Sequence, residues 1–264
     1  MPASKLPPEL LHLTIFPALQ MGCFALACLL VTSHPAWAIA GILASGLALN
    51  FTIHVCAHEF LHWSDRHPLP RWVGLAFSAV MGLTFDGYRL HHHNHHRHNN
   101  GAGDFSRTWR TTLEGPRPYG VWRYALGWPA QVVRTVGALR AMPSLPAPDE
   151  RARRRMRPQA LVVGALALSL ALLSWKLAAL YAAMIYVGWA LVSLHNYGQH
   201  PPETPARIPS FTSRWYNRLF FNNGLHYEHH ATPSTPWHAL EADPRAPRVH
   251  ASHLVSPLWR RVKT

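Results

Sequence analysis

The chain has 264 residues, with 25 Lys or Arg against 12 Asp or Glu, so its formal net charge is +13. The mean hydropathy of −0.05 would suit a soluble protein, but it averages long apolar runs with segments rich in Arg, His and Pro. All three cysteines lie in apolar runs, which excludes a disulfide framework and a CxxC metal site: Cys23, Cys28 and Cys56.

The apolar runs predict the helical elements in chain order. Four runs are about long enough to cross a bilayer, which takes about 20 residues: 11–32, 36–56, 159–174 and 177–194. Residues 71–85 are apolar but too short for a full span, so we expect a shallow helix there. Residues 119–140 mix Trp and Arg with aliphatic side chains, which is typical of an interfacial amphipathic helix. Residues 195–264 are polar and Pro-rich and predict short helical pieces.

The distribution of Lys and Arg predicts the topology. Four spans place both ends of the chain on one side of the membrane, together with the long polar regions between the second and third spans and after the fourth. Of the 25 Lys and Arg, only Lys176 falls in a turn on the other side. By the positive-inside rule the larger side is cytoplasmic. We therefore predict an all-α integral membrane protein, one domain over residues 1–264, with four transmembrane helices in two hairpins and a cytosolic His-rich cap. This topology explains the basic surplus without a nucleic-acid partner.

Histidine is unusually frequent, with 20 residues, and most of them fall in four clusters next to apolar stretches. The spacing within the clusters is i, i+3 or i, i+4, which places side chains on one face of a helix. Imidazole is the commonest metal ligand, so the clusters predict a metal site on the cytoplasmic face. Nine imidazoles are too many for one ion and sufficient for two: His58, His62, His92, His95, His96, His200, His226, His229 and His230.

Three further residues are candidate ligands, either direct or through water. His91 offers an alternative register of the second cluster, and Asn196 lies four residues before His200. His54 lies one turn before the first cluster, where a helix-packing hydrogen bond is an equal alternative. The spacing alone leaves these choices open.

Carboxylates should accompany the imidazoles. Neutral imidazoles do not offset the charge of two cations, so carboxylates should accept the remaining ring N–H groups and fix the tautomers. Of the 12 acidic residues, four lie in or beside the clusters. We predict this role for Glu59, Asp104 and Glu228, and we also consider Asp86. The alternative for each is a surface ion pair with Arg.

Three classes of protein compete for a His-rich membrane site. Residues 58–62 spell H-E-x-x-H, the zinc protease motif, in which Glu59 would be the general base. That interpretation leaves most of the other ligands without a role. A metal buffer or transporter would place ionisable groups along a path through the spans, but the predicted spans carry almost none. A two-iron centre that activates O₂ uses all the clusters.

Taken together, the clusters resemble those of the integral-membrane fatty acid desaturase superfamily, which also holds alkane hydroxylases and carotenoid ketolases. The resemblance covers about residues 50–240 and rests on four motifs: His58-x-x-x-His62; Tyr88-Arg89-Leu90 ahead of His92-x-x-His95-His96 and Asn100; Asn196-x-x-x-His200; and Leu225-His226-Tyr227-Glu228-His229-His230 followed by Pro233, Pro236-Trp237 and Leu240.

The resemblance implies two non-haem irons held by histidine, with O₂ as co-substrate and hydrogen abstraction from an unactivated C–H bond. It implies a membrane lipid or another apolar chain as substrate, and electrons from a ferredoxin, rubredoxin or cytochrome b5 type partner. We expect that donor to be separate, because the sequence shows no Cys cluster and no haem domain.

The residues leave the reaction open between members of the superfamily. Asn196-x-x-x-His200 resembles the desaturase and alkane hydroxylase pattern, and on it we favour desaturation of an acyl chain. The alternative is a hydroxylase or a carotenoid ketolase, because His95-His96-Arg97-His98 and Pro236-Trp237 look ketolase-like.

Overall fold

The computed structural model describes residues 14–66, 70–142, 147–202 and 208–249, which are mostly helical. The α-helices, in chain order, are α1 Ile15–Leu30, α2 Pro35–Phe51, α3 His58–Arg66, α4 Arg71–Met81, α5 Phe85–His98, α6 Val121–Leu126, α7 Trp128–Ala141, α8 Ala147–Leu173, α9 Trp175–Gln199, α10 Arg214–Leu219 and α11 His226–Ala231. A π-helical segment, Thr52–Ala57, joins α2 to α3, and a 3-10 turn covers Trp237–Ala239.

Four short strands form two small sheets that the all-α prediction did not include. β1 (Trp109–Thr112) and β2 (Gly115–Pro118) form an antiparallel hairpin, and β3 (Ser210–Phe211) pairs in parallel with β4 (Arg248–Val249). Both sheets lie in polar segments outside the apolar helices, where they pair backbone groups that no helix satisfies. Strands of two to four residues carry too little periodicity to be predicted from sequence.

Three helical stretches in the described part of the chain are long and apolar enough to cross a membrane: Pro35–Trp63, Asp149–Leu173 and Trp175–Gln199. They match three of the four predicted spans, and the span predicted over 159–174 ends one residue earlier, at Leu173. The remaining span, 11–32, begins outside the described residues. Its described helix, α1, has 16 residues and is about 24 Å long, against about 30 Å for a hydrocarbon core. The four-span topology and its sidedness stay predictions, and both ends of the chain lie outside the described residues.

α2 and α9 pack closely, and this contact positions two of the histidine clusters. A Cβ atom added to Gly188 in α9 would lie 2.4 Å from Cδ2 of Leu49 in α2. Small residues that let backbones approach are typical of helix contacts in membranes. The opposite faces of the apolar helices expose large side chains such as Leu29, Trp37 and Leu172, as expected for surfaces in contact with lipid.

The π segment lies directly before the first histidine cluster. Its i→i+5 turn is wider than an α-turn, so side chains before and after it leave the helix at different angles. His54, inside the segment, points its Nε2 at the carbonyl of Val192 in α9 at 3.4 Å. His54, His58 and His62 are spaced i, i+4 and i+8 and would share one face of a regular α-helix, but the π segment breaks that face after His54.

The interfacial helix predicted over residues 119–140 consists of two helices, α6 and α7. They are separated at Gly127, and Pro129 follows in the first turn of α7, where its missing N–H costs no helical hydrogen bond. The short helix predicted over 71–85 is α4, which ends at Met81 and is followed by Gly82 with a φ of 68°.

Candidate metal centre

The helices bring the four histidine clusters together. All nine predicted histidines fall into two groups, and within each group the candidate ligand atoms lie within 4.8 Å of one another. The first group holds His58 and His62 from α3, His92 and His96 from α5, and His229 from α11. The second holds His95 from α5, His200 directly after α9, and His226 and His230 from α11.

The nitrogen contacts of the first group fit a metal ion better than hydrogen bonds. Nε2 of His92 lies 3.0 Å from Nε2 of His62 and 2.9 Å from Nε2 of His96, which lies 3.0 Å from Nε2 of His229. A ring nitrogen carries either one proton or one lone pair, so Nε2 of His92 cannot satisfy two such neighbours. Nitrogens bound at about 2.1 Å to one ion, at right angles, lie about 3 Å apart.

The second group adjoins the first. Nε2 of His226 lies 2.8 Å from Nε2 of His200, and the His95 ring centroid is 4.4 Å from that of His200. Nε2 of His230 is buried and has no hydrogen-bond partner within the described ranges, and a metal bond would satisfy it. The rings of His96 and His230 stack at 4.3 Å, so the geometry fits two adjacent ions.

The Asp104 carboxylate contacts the His95 ring and fixes its orientation. Its carboxylate accepts from Nδ1–H of His95 at 2.7 Å, from the backbone N–H of Asn100 at 2.7 Å, and from the N–H and Oγ–H of Ser106 at 2.7 and 2.8 Å. Burial alone would raise the pKa of Asp104, but His95 and the Ser106 bonds hold it well below its usual range. The ionised carboxylate keeps the proton on Nδ1 and leaves Nε2 free to bind metal.

Three of the other imidazoles are held neutral. Burial lowers the pKa of His92, His229 and His230 well below the usual histidine range, and neighbouring imidazoles lower it further. Neutral imidazole is the form that binds metal.

The three further candidates make contacts with residues other than the nine histidines of the two groups. His54 contacts Val192, and its ring lies 4.5 Å from that of His195. Nδ1 of His91 contacts Oγ1 of Thr135 in α7 at 3.3 Å. Consecutive residues of a helix point in different directions, and in α5 it is His92 that faces the centre. Nδ2 of Asn196 donates to the carbonyl of Ser106 at 2.9 Å and to the Tyr124 hydroxyl at 2.6 Å.

The remaining carboxylates make different contacts. Asp86 forms a bidentate ion pair with Arg155 at 2.7 and 3.0 Å and accepts from Gln159 at 2.6 Å, which ties α5 to α8. Glu228 accepts from the Ser210 hydroxyl and from the N–H of Asp243 at 2.9 Å. These bonds join α11 to β3 and to the segment that follows the 3-10 turn. Glu59 is buried in the turn that carries His58.

Two residues that entered the sequence argument only as motif companions belong to the walls of the centre. The Trp237 ring is 2% exposed and lies 4.4 Å from the His229 ring and 5.0 Å from the His58 ring. Oδ1 of the buried Asn100 accepts from the N–H of Thr108, whose hydroxyl donates to the carbonyl of His200 at 2.8 Å. Their burial could not be inferred from spacing.

A cavity of about 1200 Å³ reaches the centre. His58, His92, His95 and His226 line one part of it, and helices α5, α7, α8 and α9 enclose the rest. Its other walls are largely apolar and include Trp128, Trp189 and Val163. The arrangement can therefore hold an apolar chain beside two bound ions.

The chain is similar to a known protein family. The family model described as fatty acid desaturase matches residues 32–248, well over half of the chain. The matched region contains all nine histidines of the two groups and most of the described residues. No curated protein matches the chain.

Proposed function

The chain belongs to the fatty acid desaturase family, and on that premise we propose that it is a membrane diiron oxidoreductase that uses O₂ and electrons to desaturate an acyl chain. Family membership and the apolar helices make it an integral membrane protein of the oxidoreductase type. The acyl substrate, the two irons and the use of O₂ are the parts that we propose.

The observation that carries the proposal is the division of nine histidines into groups of five and four beside one apolar cavity. Two adjacent groups of nitrogen ligands suit two ions, and imidazole is a ligand that iron accepts. When bound, the irons would supply reductive activation of O₂ and abstraction of hydrogen from the substrate. A cavity with largely apolar walls suits a substrate whose reacting carbons carry no polar group.

The residues of the chain orient the ligands and exclude water. Asp104 holds His95 in one tautomer, and Trp237 packs against His58 and His229. Tyr88 and Trp189 line the cavity, and their rings lie 5.6 Å apart. These aromatic walls position the chain of the substrate against the histidines and keep bulk solvent from the reacting carbon.

A hydroxylase or carotenoid ketolase of the same fold is the alternative, because the same ligands serve each reaction and the outcome depends on where the substrate lies. The zinc protease interpretation is less favourable. It uses His58, His62 and Glu59 and gives no role to the second group of four histidines.

We also propose the partners and the sidedness. The active site and both ends of the chain lie on the cytoplasmic face, where a separate ferredoxin, rubredoxin or cytochrome b5 type protein delivers electrons. The support is the excess of Lys and Arg in the segments outside the apolar helices.

Mass spectrometry of lipids and carotenoids tests the proposal in cells that express either the chain or His229→Ala. We expect a product lighter by two hydrogens with the wild type and none with the variant, while both proteins insert in the membrane. A product that gains oxygen would move the assignment to a hydroxylase or ketolase. An active His229→Ala enzyme would overturn the metal assignment.

A further inference from the structure

One end of the cavity beside the histidines is rimmed by arginines. Arg140 comes from the last turn of α7, and Arg153, Arg154 and Arg157 come from the first turns of α8. The guanidinium of Arg153 donates to the carbonyl of Met142, directly after α7, at 3.0 Å. This bond places the end of α7 beside the start of α8, so the four arginines share one end of the cavity.

The charge of this rim is poorly compensated. Glu150 also lines the cavity, and it pairs with Arg153 at 2.6 Å and with Arg154 at 3.5 Å. Within the described ranges neither Arg140 nor Arg157 has an ion-pair partner, and both are exposed. Four arginines against one glutamate at the mouth of a largely apolar cavity leave a positive field that an anion would neutralise.

Away from the rim the cavity becomes apolar. Moving back along α7 from Arg140, the lining residues are Leu139, Val136, Thr135 and Val132. Moving forward along α8 from Arg157, they are Ala160, Val163 and Gly164. Both helices therefore contribute arginines and aliphatic residues to the lining of the same cavity.

The histidines of the centre line the same cavity, among them His92 and His95. Thr135 contacts His91 at 3.3 Å, beside His92 on α5. Thr135 is five residues from Arg140, which is about 7.5 Å along the helix axis at 1.5 Å per residue. A chain anchored at the rim would therefore present a carbon within its length to the centre, with its tail in the apolar end.

We propose that Arg140, Arg153, Arg154 and Arg157 bind the anionic head of a single-chain amphiphile, a carboxylate or a phosphate, whose tail occupies the apolar cavity. This inference rests on the proposed function and narrows its substrate to a chain that carries an anion. It disfavours a neutral carotenoid or alkane, which would leave the arginines without a counter-charge. Guanidinium pairs with carboxylate and phosphate oxygens in bidentate geometry.

The positive-inside rule alone could account for surface arginines on this side of a membrane protein. Two other arginines of the same helices provide a matched control for that explanation. Arg134 in α7 and Arg151 in α8 are exposed like Arg140 and Arg157 but do not line the cavity. Arg134→Gln/Arg151→Gln therefore removes the same charge from the same two helices without touching the rim.

The test is equilibrium binding of hexadecanoate, hexadecyl phosphate and hexadecanol to the purified full-length protein in neutral detergent. We expect at least one of the two anions to bind wild type about tenfold more tightly than the alcohol. Arg140→Gln/Arg157→Gln should remove most of that preference and leave alcohol binding unchanged, which also shows that the cavity is intact. The control pair should keep the preference, and the tighter anion identifies the head group.

Equal binding of both anions and the alcohol to wild type would overturn the proposal, and so would the same loss in both double variants. If Arg140→Gln/Arg157→Gln does not fold, the single variants Arg157→Gln and Arg151→Gln are compared instead. Only Arg157→Gln should then reduce the preference for the anion over the alcohol. The binding assay needs no turnover. A chain with head-group preference and no oxidase activity would refute the proposed function alone, and an active enzyme without the preference would refute this inference alone.

Discussion

Replacement of Asp104 by Asn changes one carboxylate oxygen to an amide NH₂ and leaves the size of the side chain unchanged. The remaining oxygen can keep the two bonds from Ser106. The NH₂ group would then face the N–H of Asn100 and Nδ1–H of His95, both of which donate to Asp104 at 2.7 Å in the wild type. Two charge-assisted bonds, each about 1.5–3 kcal/mol, become contacts between donors.

His95 can relieve one of these contacts by moving its proton from Nδ1 to Nε2. Nε2 is the nitrogen that would bind metal, so the relief removes a ligand from the second group. Loss of such an orienting partner typically weakens metal binding about 10–100-fold, or about 1.4–2.7 kcal/mol. The first group does not contain His95, and we expect it to keep its ion.

The assay is iron content per chain together with the affinity of each site in a chelator competition. We expect Asp104→Asn to retain about one ion where the wild type retains two. Asp86→Asn is the control, because Asp86 is also buried but bonds to Arg155 and Gln159. Wild-type affinity at both sites of Asp104→Asn, or an equal loss in Asp86→Asn, would refute the reasoning.

Three further predictions follow from the packing, the centre and the topology. Gly188→Ala should cost about 1–3 kcal/mol by overpacking against Leu49 and lower the thermal midpoint, whereas Gly164→Ala, which meets nothing within 4 Å, should not. Chelation of the metal should lower the midpoint and added iron should restore it, since a ligand that binds the folded state stabilises it; an unchanged midpoint would contradict a metal centre. A cysteine at Arg151 should resist an impermeant reagent in intact cells, and its labelling would reverse the proposed sidedness.

Helical spacing was sufficient to predict which histidines meet. His92, His95 and His96 share a face of α5 at i, i+3 and i+4, and the same spacing recurs in α11. Because each cluster lies beside an apolar helix, the topology brings the clusters to one region. The division into five and four could not be predicted, since neighbouring His95 and His96 belong to different groups. That division depends on how α5 is rotated against α3, α9 and α11.

The parts that sequence reasoning missed depend on contacts distant in the chain. Asp86 was considered for the centre because it lies near the second cluster, but its partner Arg155 is 69 positions away. The strands β1 to β4 are too short to show alternation. His91 and His92 are adjacent in sequence, and the packing of α5 against distant helices, mainly α8, decides which of them faces the other histidines.

The π segment sets the direction in which the His58 and His62 side chains leave the helix, independently of how α2 is packed. Packing of Gly188 on Leu49 locks the α2 part against α9, while α3 must direct its imidazoles at a target set by α5 and α11. The extra residue of the π turn in Thr52–Ala57 lets α2 keep its packing on α9 while α3 is rotated toward α5 and α11. Removal of one residue there would leave a continuous helix that still packs against α9. It would rotate the His58 and His62 side chains by roughly 100° about the helix axis, away from the other histidines.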